Sequence, residues 1–575
     1  MHGAPLNSPP DDARFAWRAR GAGAALGLGC ALLLLWPHWM DPAAALVGHP
    51  TLDVWAHVWG SHWFASSLAS FELPWTVSGA AHGVTRVLWY IDPLGALTGL
   101  PGHLLGGPAW GWMLQLLVQV TVAGIGGHAL GRSLGGRGWL AGAALATTPL
   151  LQGELWNGVS ESCWIGLVAL AGALAARRSR WTGLAVGLAG IATPYLGLSA
   201  AALAGTLLLM GGAEGRGTWR ERGRLTALAA GLSLLVVAPH ALALQAAMGA
   251  PESFVMRPLW WGGFNPAVLR SNATDPLAFV TPGDFWSVPF VGDAWSIHWK
   301  RTPYLGLGLL GLSALAVARR GRRWPLLLCV AAGVVAALGP FLWHDGGWVQ
   351  TAAGGYYRLP MAWVMEHVPI SLDHPMRFAV LAVVALAGLA DAAVGRAGLL
   401  LAPLIVVEHL AVAPNAWPLA AADAALPAAY AALPDDGRAV IDLPADAGTG
   451  NRTNAYLLWQ RLHGRGVPWG NKVGAVGIPS KNAALKAWAV QSRRMTGYIE
   501  GYDPDADLDV AMEQLVADGY GWVLLHPDLL PEPSLLQKHE RALVPLLGEP
   551  VEIDGVRVWA LPGVDRGGLG SDSGR

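Results

Sequence analysis

The chain has 575 residues, of which 53% are hydrophobic and only 13% charged, with a formal net charge of −1 and a mean hydropathy of +0.39. That balance excludes an ordinary soluble protein, and near-neutrality argues against a nucleic-acid partner. The three cysteines, Cys30, Cys163 and Cys329, lie far apart in apolar runs with no CxxC pair, so they read as small core residues rather than disulfides or metal ligands.

Apolar runs of membrane length recur from about residue 20 to residue 413. The candidate spans are 20–39, 110–131, 138–152, 157–176, 181–193, 196–211, 224–247, 303–318, 324–343, 377–395 and 397–413. That is about eleven, several of them short for a hydrocarbon core of ~30 Å. The first run follows Arg14, Arg18 and Arg20 and ends at Trp36-Pro37-His38-Trp39. Its basic start, with Ala43-Ala44-Ala45 beyond it, also fits a cleaved signal peptide; the aromatic end and the spans that follow favour a retained helix. The run 88–105 is apolar but broken by Asp92, Pro93 and Pro101, and reads as a re-entrant or interfacial helix.

Arginine placement sets the expected sidedness. Alternating from a cytoplasmic N-terminus, the inner segments collect Arg14, Arg18 and Arg20, then Arg132 and Arg137, then Arg177, Arg178 and Arg180, and further groups at 216–224 and 319–323. The expected organisation is a cytoplasmic tail (1–19) and a transmembrane domain (20–413) with large outer loops at 40–109, 248–302 and 344–376. An extracytoplasmic domain (414–563) and a disordered Gly/Ser-rich tail (564–575) follow. Most histidines and carboxylates fall on the outer side of a cytoplasmic membrane, where function is therefore expected.

The first outer loop carries Thr51-Leu52-Asp53-Val54-Trp55-Ala56-His57-Val58-Trp59. Asp53 and His57 are spaced i, i+4 and share one helix face, while Trp55 and Trp59 repeat on a neighbouring face. A lone acid among aromatics suits a general base beside a platform for a sugar or polyprenyl chain. An interfacial aromatic belt with a capping aspartate accounts for the same pattern. Asp53, His57 and His62 also make a candidate divalent-cation site, at a spacing that specifies no metal.

The central loop carries Asp275, Asp284, Asp293 and His298 among Trp260, Trp261, Trp286, Trp295 and Trp299. That mixture suits carbohydrate or lipid head groups, although Asn272-Ala273-Thr274 and Thr281-Pro282-Gly283-Asp284 also read as turns. Asp373-His374-Pro375-Met376-Arg377-Phe378 marks the start of the span 377–395. An arginine at that depth is costly unless paired, so Arg377 is a candidate phosphate ligand, with a pair to Asp373 or simple snorkelling as the alternative. Tyr356-Tyr357-Arg358 is a second phosphate candidate. The spans carry few ionisable groups, with His128 and Asp391 toward inner ends and His240, Glu408 and His409 toward outer ends, which counts against an ion-coupled transporter.

After residue 413 the pattern changes. Arg438 to Leu443 reads as a strand, Tyr456 to His463 as a helix, Leu508 to Gly519 as an amphipathic helix leading into a strand at Gly521 to His526. Val551 to Trp559 reads as a hairpin turning at Asp554-Gly555. Strand, helix and strand predict a small α/β domain, with no GxSxG, P-loop or CxxC, suited to a lid or to acceptor binding.

Asp53 after the first span, the short spans around Thr193-Pro194-Tyr195, the Pro375-Met376-Arg377-Phe378 junction and the C-terminal domain together resemble the bacterial GT-C superfamily of integral membrane glycosyltransferases. The resemblance is architectural and covers most of the chain. It implies a polytopic helical fold, a polyprenyl-phosphate-linked sugar donor, a glycan, lipid or protein acceptor, and an acidic residue in the first outer loop acting as base, a role that falls on Asp53 alone. It implies inverting transfer, with Asp53 deprotonating the acceptor hydroxyl and Arg377 stabilising the departing phosphate. His57, Trp55, Trp59, Arg358, Asp373, His374, Arg377, Asp284, Asp293 and His298 form the expected substrate-binding set. The tandem acidic pair of many members is absent from the first loop. A lipid or small-molecule transporter, or a non-catalytic polysaccharide-assembly protein, are the other readings.

Overall fold

Runs of leucine, alanine and valine become helices, and the breaks between them fall at glycine and proline. The computed structural model describes residues 12–72, 92–210, 218–249, 273–281, 303–320, 324–367, 374–412, 417–445, 454–468, 482–491, 502–530 and 532–565, with positions 74, 76–77, 82, 86–87 and 372. Helices α1 (Asp12–Leu34), α2 (Val54–Ala69), α3 (Pro93–Ser133), α4 (Trp139–Ala146), α5 (Pro149–Asn157), α6 (Ile165–Ala176), α7 (Thr182–Ala192), α8 (Pro194–Met210) and α9 (Trp219–Gly249) are followed by α10 (Leu307–Arg320), α11 (Trp324–Ala337), α12 (Pro360–His367), α13 (Ala379–Val394) and α14 (Gly398–Val412). Among the described residues, three stretches are long and apolar enough to cross a membrane: Pro93–Ser133, Trp219–Ala246 and Pro375–Ala411. The protein is predominantly helical and membrane-embedded.

The expected span 138–152 is not one helix. Pro149 confines Thr148 to an extended conformation (φ −56°, ψ 138°) and splits the run into α4 and α5. The apolar run before Trp110 is the first limb of α3, which folds back on the second. Gly107 (φ 80°, ψ −169°) breaks the helix next to Pro108, a conformation that glycine adopts without steric cost. A Cβ added to Gly99 would lie 2.6 Å from the carbonyl oxygen of Gly111, and one on Gly102 would lie 2.6 Å from that of Trp110. The two limbs are thus an antiparallel hairpin in backbone contact. The first limb, about 21 Å at 1.5 Å per residue, is shorter than a bilayer core.

Close backbone approach also fixes α1 against α3. A Cβ on Gly27 would sit 2.4 Å from the carbonyl oxygen of Thr121, and one on Gly124 would sit 2.4 Å from the Cα of Gly27. Gly27→Leu is expected to destabilise the bundle by about 1–3 kcal/mol, seen as a lower melting temperature in detergent; an unchanged melt excludes this packing. Beyond α1, Ala45–Val47 (β1) is built into a two-stranded sheet.

Asp391 illustrates how a buried charge is settled here. It is fully buried on α13 and accepts hydrogen bonds from the backbone N–H groups of Gly138 (2.7 Å) and Leu140 (3.0 Å), capping α4 from another helix. Arg132 and Arg177 lie near His128 at this same end of the bundle.

The C-terminal part, residues 417–565, forms an α/β layer. Strands Ala439–Leu443 (β3) and Tyr520–Leu525 (β4) pair in parallel, β4 pairs antiparallel with Val556–Ala560 (β6), and β6 with Val551–Ile553 (β5). The hairpin turns at Asp554 (φ 50°) and Gly555 (φ 77°), the two positive φ values of a type I′ turn. Helices Ala455–His463 (α15), Leu508–Ala517 (α16) and Pro533–Leu547 (α17) pack around it. Within this layer Asp442 is fully buried; it accepts from the Tyr430 hydroxyl at 2.7 Å and lies 3.3 Å from His526 Nε2.

Burial lowers the pKa of both His463 and His539 from 6.5 to about 4. A depressed histidine pKa means the unfolded chain binds more protons between these values. The stability of this layer is therefore expected to be full above pH 6.5 and to fall as pH drops toward 4. Urea melts of the full chain at pH 7.5 and 5 check this, and an equal midpoint at both excludes it.

Candidate functional site

Asp53 stands at the N-terminus of α2, half-buried, with backbone torsions of −77° and −6°. The segment leading to it is tied from two sides. On one side β1 pairs with Ala421–Asp423 (β2), and the Gly48 N–H donates to the Ala420 carbonyl at 2.8 Å. On the other, the N–H of His49 donates to Trp156 O (2.7 Å) and that of Asp53 to Asn157 O (3.1 Å). Gly158 makes this approach possible: its φ is 72°, and an added Cβ would lie 2.5 Å from the Cα of Val54.

One turn into α2, His57 is buried, and its Nδ1 lies 3.6 Å from Oε2 of Glu161. Glu161 in turn accepts from Arg377 Nη1 at 3.3 Å, while Arg377 Nε and Nη2 each reach the Glu154 carboxylate at 3.2 Å in a bidentate pair. The guanidinium also lies 5.7 Å from the centre of the Tyr195 ring. Residues distant in sequence are thus joined in one buried chain: Glu154, Arg377, Glu161, His57, with Asp53 a helical turn beyond.

Glu154 lies in the last turn of α5, Glu161 precedes α6, Arg377 precedes α13 and Asp53 precedes α2. The cluster therefore sits at helix ends rather than mid-helix, and at the opposite ends of α6 and α13 from Arg177 and Asp391. Arg377 pairs with these two glutamates, which supply the neutralisation expected from Asp373 or a phosphate. The cavity beside it, lined by Glu154, Ser162, Tyr195 and Arg377 among others, measures about 10 Å³, room for one water molecule.

A third buried carboxylate adjoins the cluster. Asp92, fully buried, accepts from the backbone N–H of Gly95 (2.9 Å), Gln115 Nε2 (3.0 Å), Gln119 Nε2 (3.1 Å) and Trp164 Nε1 (3.0 Å). Four neutral donors satisfy it without a counter-ion, so it is a structural acceptor that locks the α3 hairpin to the 160–164 connection. Gln119 also donates to Ser160 O at 3.0 Å.

The other expected residues are placed as follows. Trp55 and Trp59 are buried: the Trp55 indole donates to Pro50 O at 2.8 Å, and Trp59 stacks on Trp63 at 6.2 Å, so both rings fill the interior behind Asp53. His62 turns to His103, with ring centres 5.3 Å apart. Among the described residues no group of three or more His, Cys, Asp or Glu side chains could hold a metal ion, and Asp53, His57 and His62 do not form one. His374 offers its backbone N–H to the Tyr195 hydroxyl at 2.8 Å, and Arg358 pairs with Glu366. Asp275 caps the turn Pro276–Phe279 and accepts from His344 at 3.0 Å, the turn reading of that loop. Asp284, Asp293, His298 and Asp373 lie outside the described residues.

Glu154, Glu161 and Asp92 went unranked in the sequence reading. The signal was there: Glu154 and Glu161 are the only carboxylates between 138 and 176, and ionisable residues in apolar surroundings are functional or paired by default.

No family model matches the chain, and no curated protein does. Among solved structures the chain is similar to the archaeal oligosaccharyltransferase AglB from Archaeoglobus fulgidus in complex with an inhibitory peptide and a dolichol-phosphate. That match has a TM-score of 0.40 and 12% identity, and covers 91% of this chain and 70% of that one. The apo form of the Archaeoglobus fulgidus oligosaccharyltransferase matches with a TM-score of 0.41 and 12% identity, covering 88% and 69%.

Proposed function

We propose that the protein is a membrane glycosyltransferase that moves a sugar from a polyprenyl-phosphate-linked donor to a glycan, lipid or protein acceptor, with Asp53 as the general base. The observation that carries this reading is the position of Asp53. It is a half-buried carboxylate at a helix N-terminus, held by backbone bonds on two sides and one turn from a buried His–Glu–Arg network. Asp53 takes the proton of the acceptor hydroxyl as oxygen attacks the anomeric carbon, and the lipid phosphate departs with the bonding electrons. Attack from the face opposite the leaving group inverts the anomeric centre.

In this reading Arg377 does not clamp the phosphate directly. Its Nε, Nη1 and Nη2 are directed to Glu154 and Glu161, so its part is to hold these carboxylates, and through Glu161 the His57 side chain, behind the base. The site faces the outer surface of the cytoplasmic membrane, as the arginine distribution implies. The charged cluster at helix ends fits a reaction at the membrane surface better than a transport path, which places charge near the bilayer midplane. Mass spectrometry of surface glycans in a gene-deletion strain tests the proposal. A missing sugar that returns with the wild-type gene and not with Asp53→Asn is the expected result, whereas an unaltered glycan profile on deletion rejects it.

A further inference from the structure

The C-terminal layer reaches the base-bearing segment at two places. The first is β2 on β1, extended by the Gly48 N–H to Ala420 O bond (2.8 Å) and by the Ala424 N–H to Ala44 O bond (3.1 Å). The second is an aromatic contact: the Trp459 ring of α15 meets the Trp55 ring of α2 edge-on, with centres 6.3 Å apart.

Both indoles are fixed. Trp55 is anchored to Pro50 O, three residues before Asp53, and each ring is only 6% exposed. Trp459 is held from behind by Tyr430 (5.8 Å), Tyr456 (5.6 Å) and His526 (5.1 Å), the aromatic surround of the buried Asp442. A rigid side chain of one layer thus bears on the first turn of the helix that Asp53 opens, while Trp156 and Asn157 hold the same segment from the other side.

We propose that Trp459 is a positioning residue for Asp53, so that the C-terminal layer is part of the scaffold of the catalytic site and sets the place of the base; the assignment of Asp53 as base rests on the function proposed above. Edge-on aromatic pairs contribute beyond area burial, and small misplacement of a catalytic group is costly in rate. Trp459 touches no reacting atom and acts only through Trp55 and the backbone of 48–53.

Hydrogen–deuterium exchange of the full chain in lipid nanodiscs tests this. In Trp459→Ala, peptides covering 48–53 are expected to exchange about tenfold faster or more, while the strands 439–443 and 520–525 keep wild-type protection. Trp459→Phe, which keeps a ring, is expected to restore slow exchange. Where Trp459→Ala also loosens the strands, Trp459→Leu decides, because it keeps apolar bulk in the aromatic surround, loses the ring and leaves the Trp55 to Pro50 bond in place. Faster exchange at 48–53 with native strands in either Trp459 variant supports the proposal, and unchanged exchange at 48–53 with native strands overturns it. Transfer from the lipid-linked sugar pool of native membranes provides the second arm, in which Trp459→Ala slows turnover and Trp459→Phe recovers it. Asp53→Asn is assayed in parallel: full transfer in that variant removes the proposed function and leaves the exchange result standing as a statement about position.

Discussion

Asp53→Asn is expected to lower the transfer rate by about 10²–10⁴-fold, the usual share of a positioned acid or base, while the protein folds normally. The replacement keeps the shape of the side chain, and the segment is held by main-chain bonds that do not involve the carboxylate: Asp53 N–H to Asn157 O and His57 N–H to Asp53 O. The melting temperature in detergent, measured beside the rate, separates a loss of the base from a loss of fold. Initial rates with membranes containing the native lipid-linked donors give the measurement. If the carboxylate acts as base, the loss falls on kcat with little change in the apparent KM. Wild-type rates in Asp53→Asn remove aspartate from the reaction.

Arg377→Met is expected to destabilise the protein by about 3–5 kcal/mol, because removing one partner of a buried ionic group leaves uncompensated charge. Glu154 is 2% and Glu161 6% exposed, so neither recovers water when the guanidinium is lost. The triple replacement Glu154→Gln, Glu161→Gln, Arg377→Met removes all three charges and should recover much of the loss, since a buried ion cluster contributes little against neutral residues of similar size. Thermal melts of the single and triple variants in the same detergent check the pair of results. Equal stability of the single variant and the wild type contradicts the buried network.

The C-terminal fold was legible because its signals are local. The Asp554-Gly555 pair dictates a hairpin turn, and runs such as Trp522-Val523-Leu524-Leu525 have the composition of a buried strand. The helical character of the apolar runs was legible for the same reason, but not their limits: Pro149 breaks one run at Thr148, Gly107 turns another back on itself, and the run from 157 becomes an α-helix only at Ile165. The network around Arg377 was not, since its partners stand more than two hundred residues away in sequence and nothing local in Pro375-Met376-Arg377-Phe378 points to Glu154 or Glu161. Trp55 and Trp59 show the limit of face arguments: i, i+4 spacing puts them on one face of α2, but which surface covers that face depends on α15 and the C-terminal layer.

The four donors around Asp92 also impose an order on biogenesis. Gly95 is made just after it, but Gln115, Gln119 and Trp164 emerge from the ribosome later. A carboxyl group without hydrogen-bond partners is expensive in an apolar medium whether charged or neutral. The first limb of the α3 hairpin is therefore expected to stay at the water interface during insertion and to settle into the bundle once the chain has been synthesised past residue 164. Truncation of a nascent chain before that point leaves this limb accessible to water-soluble thiol reagents at an engineered cysteine; extension past it protects the same position.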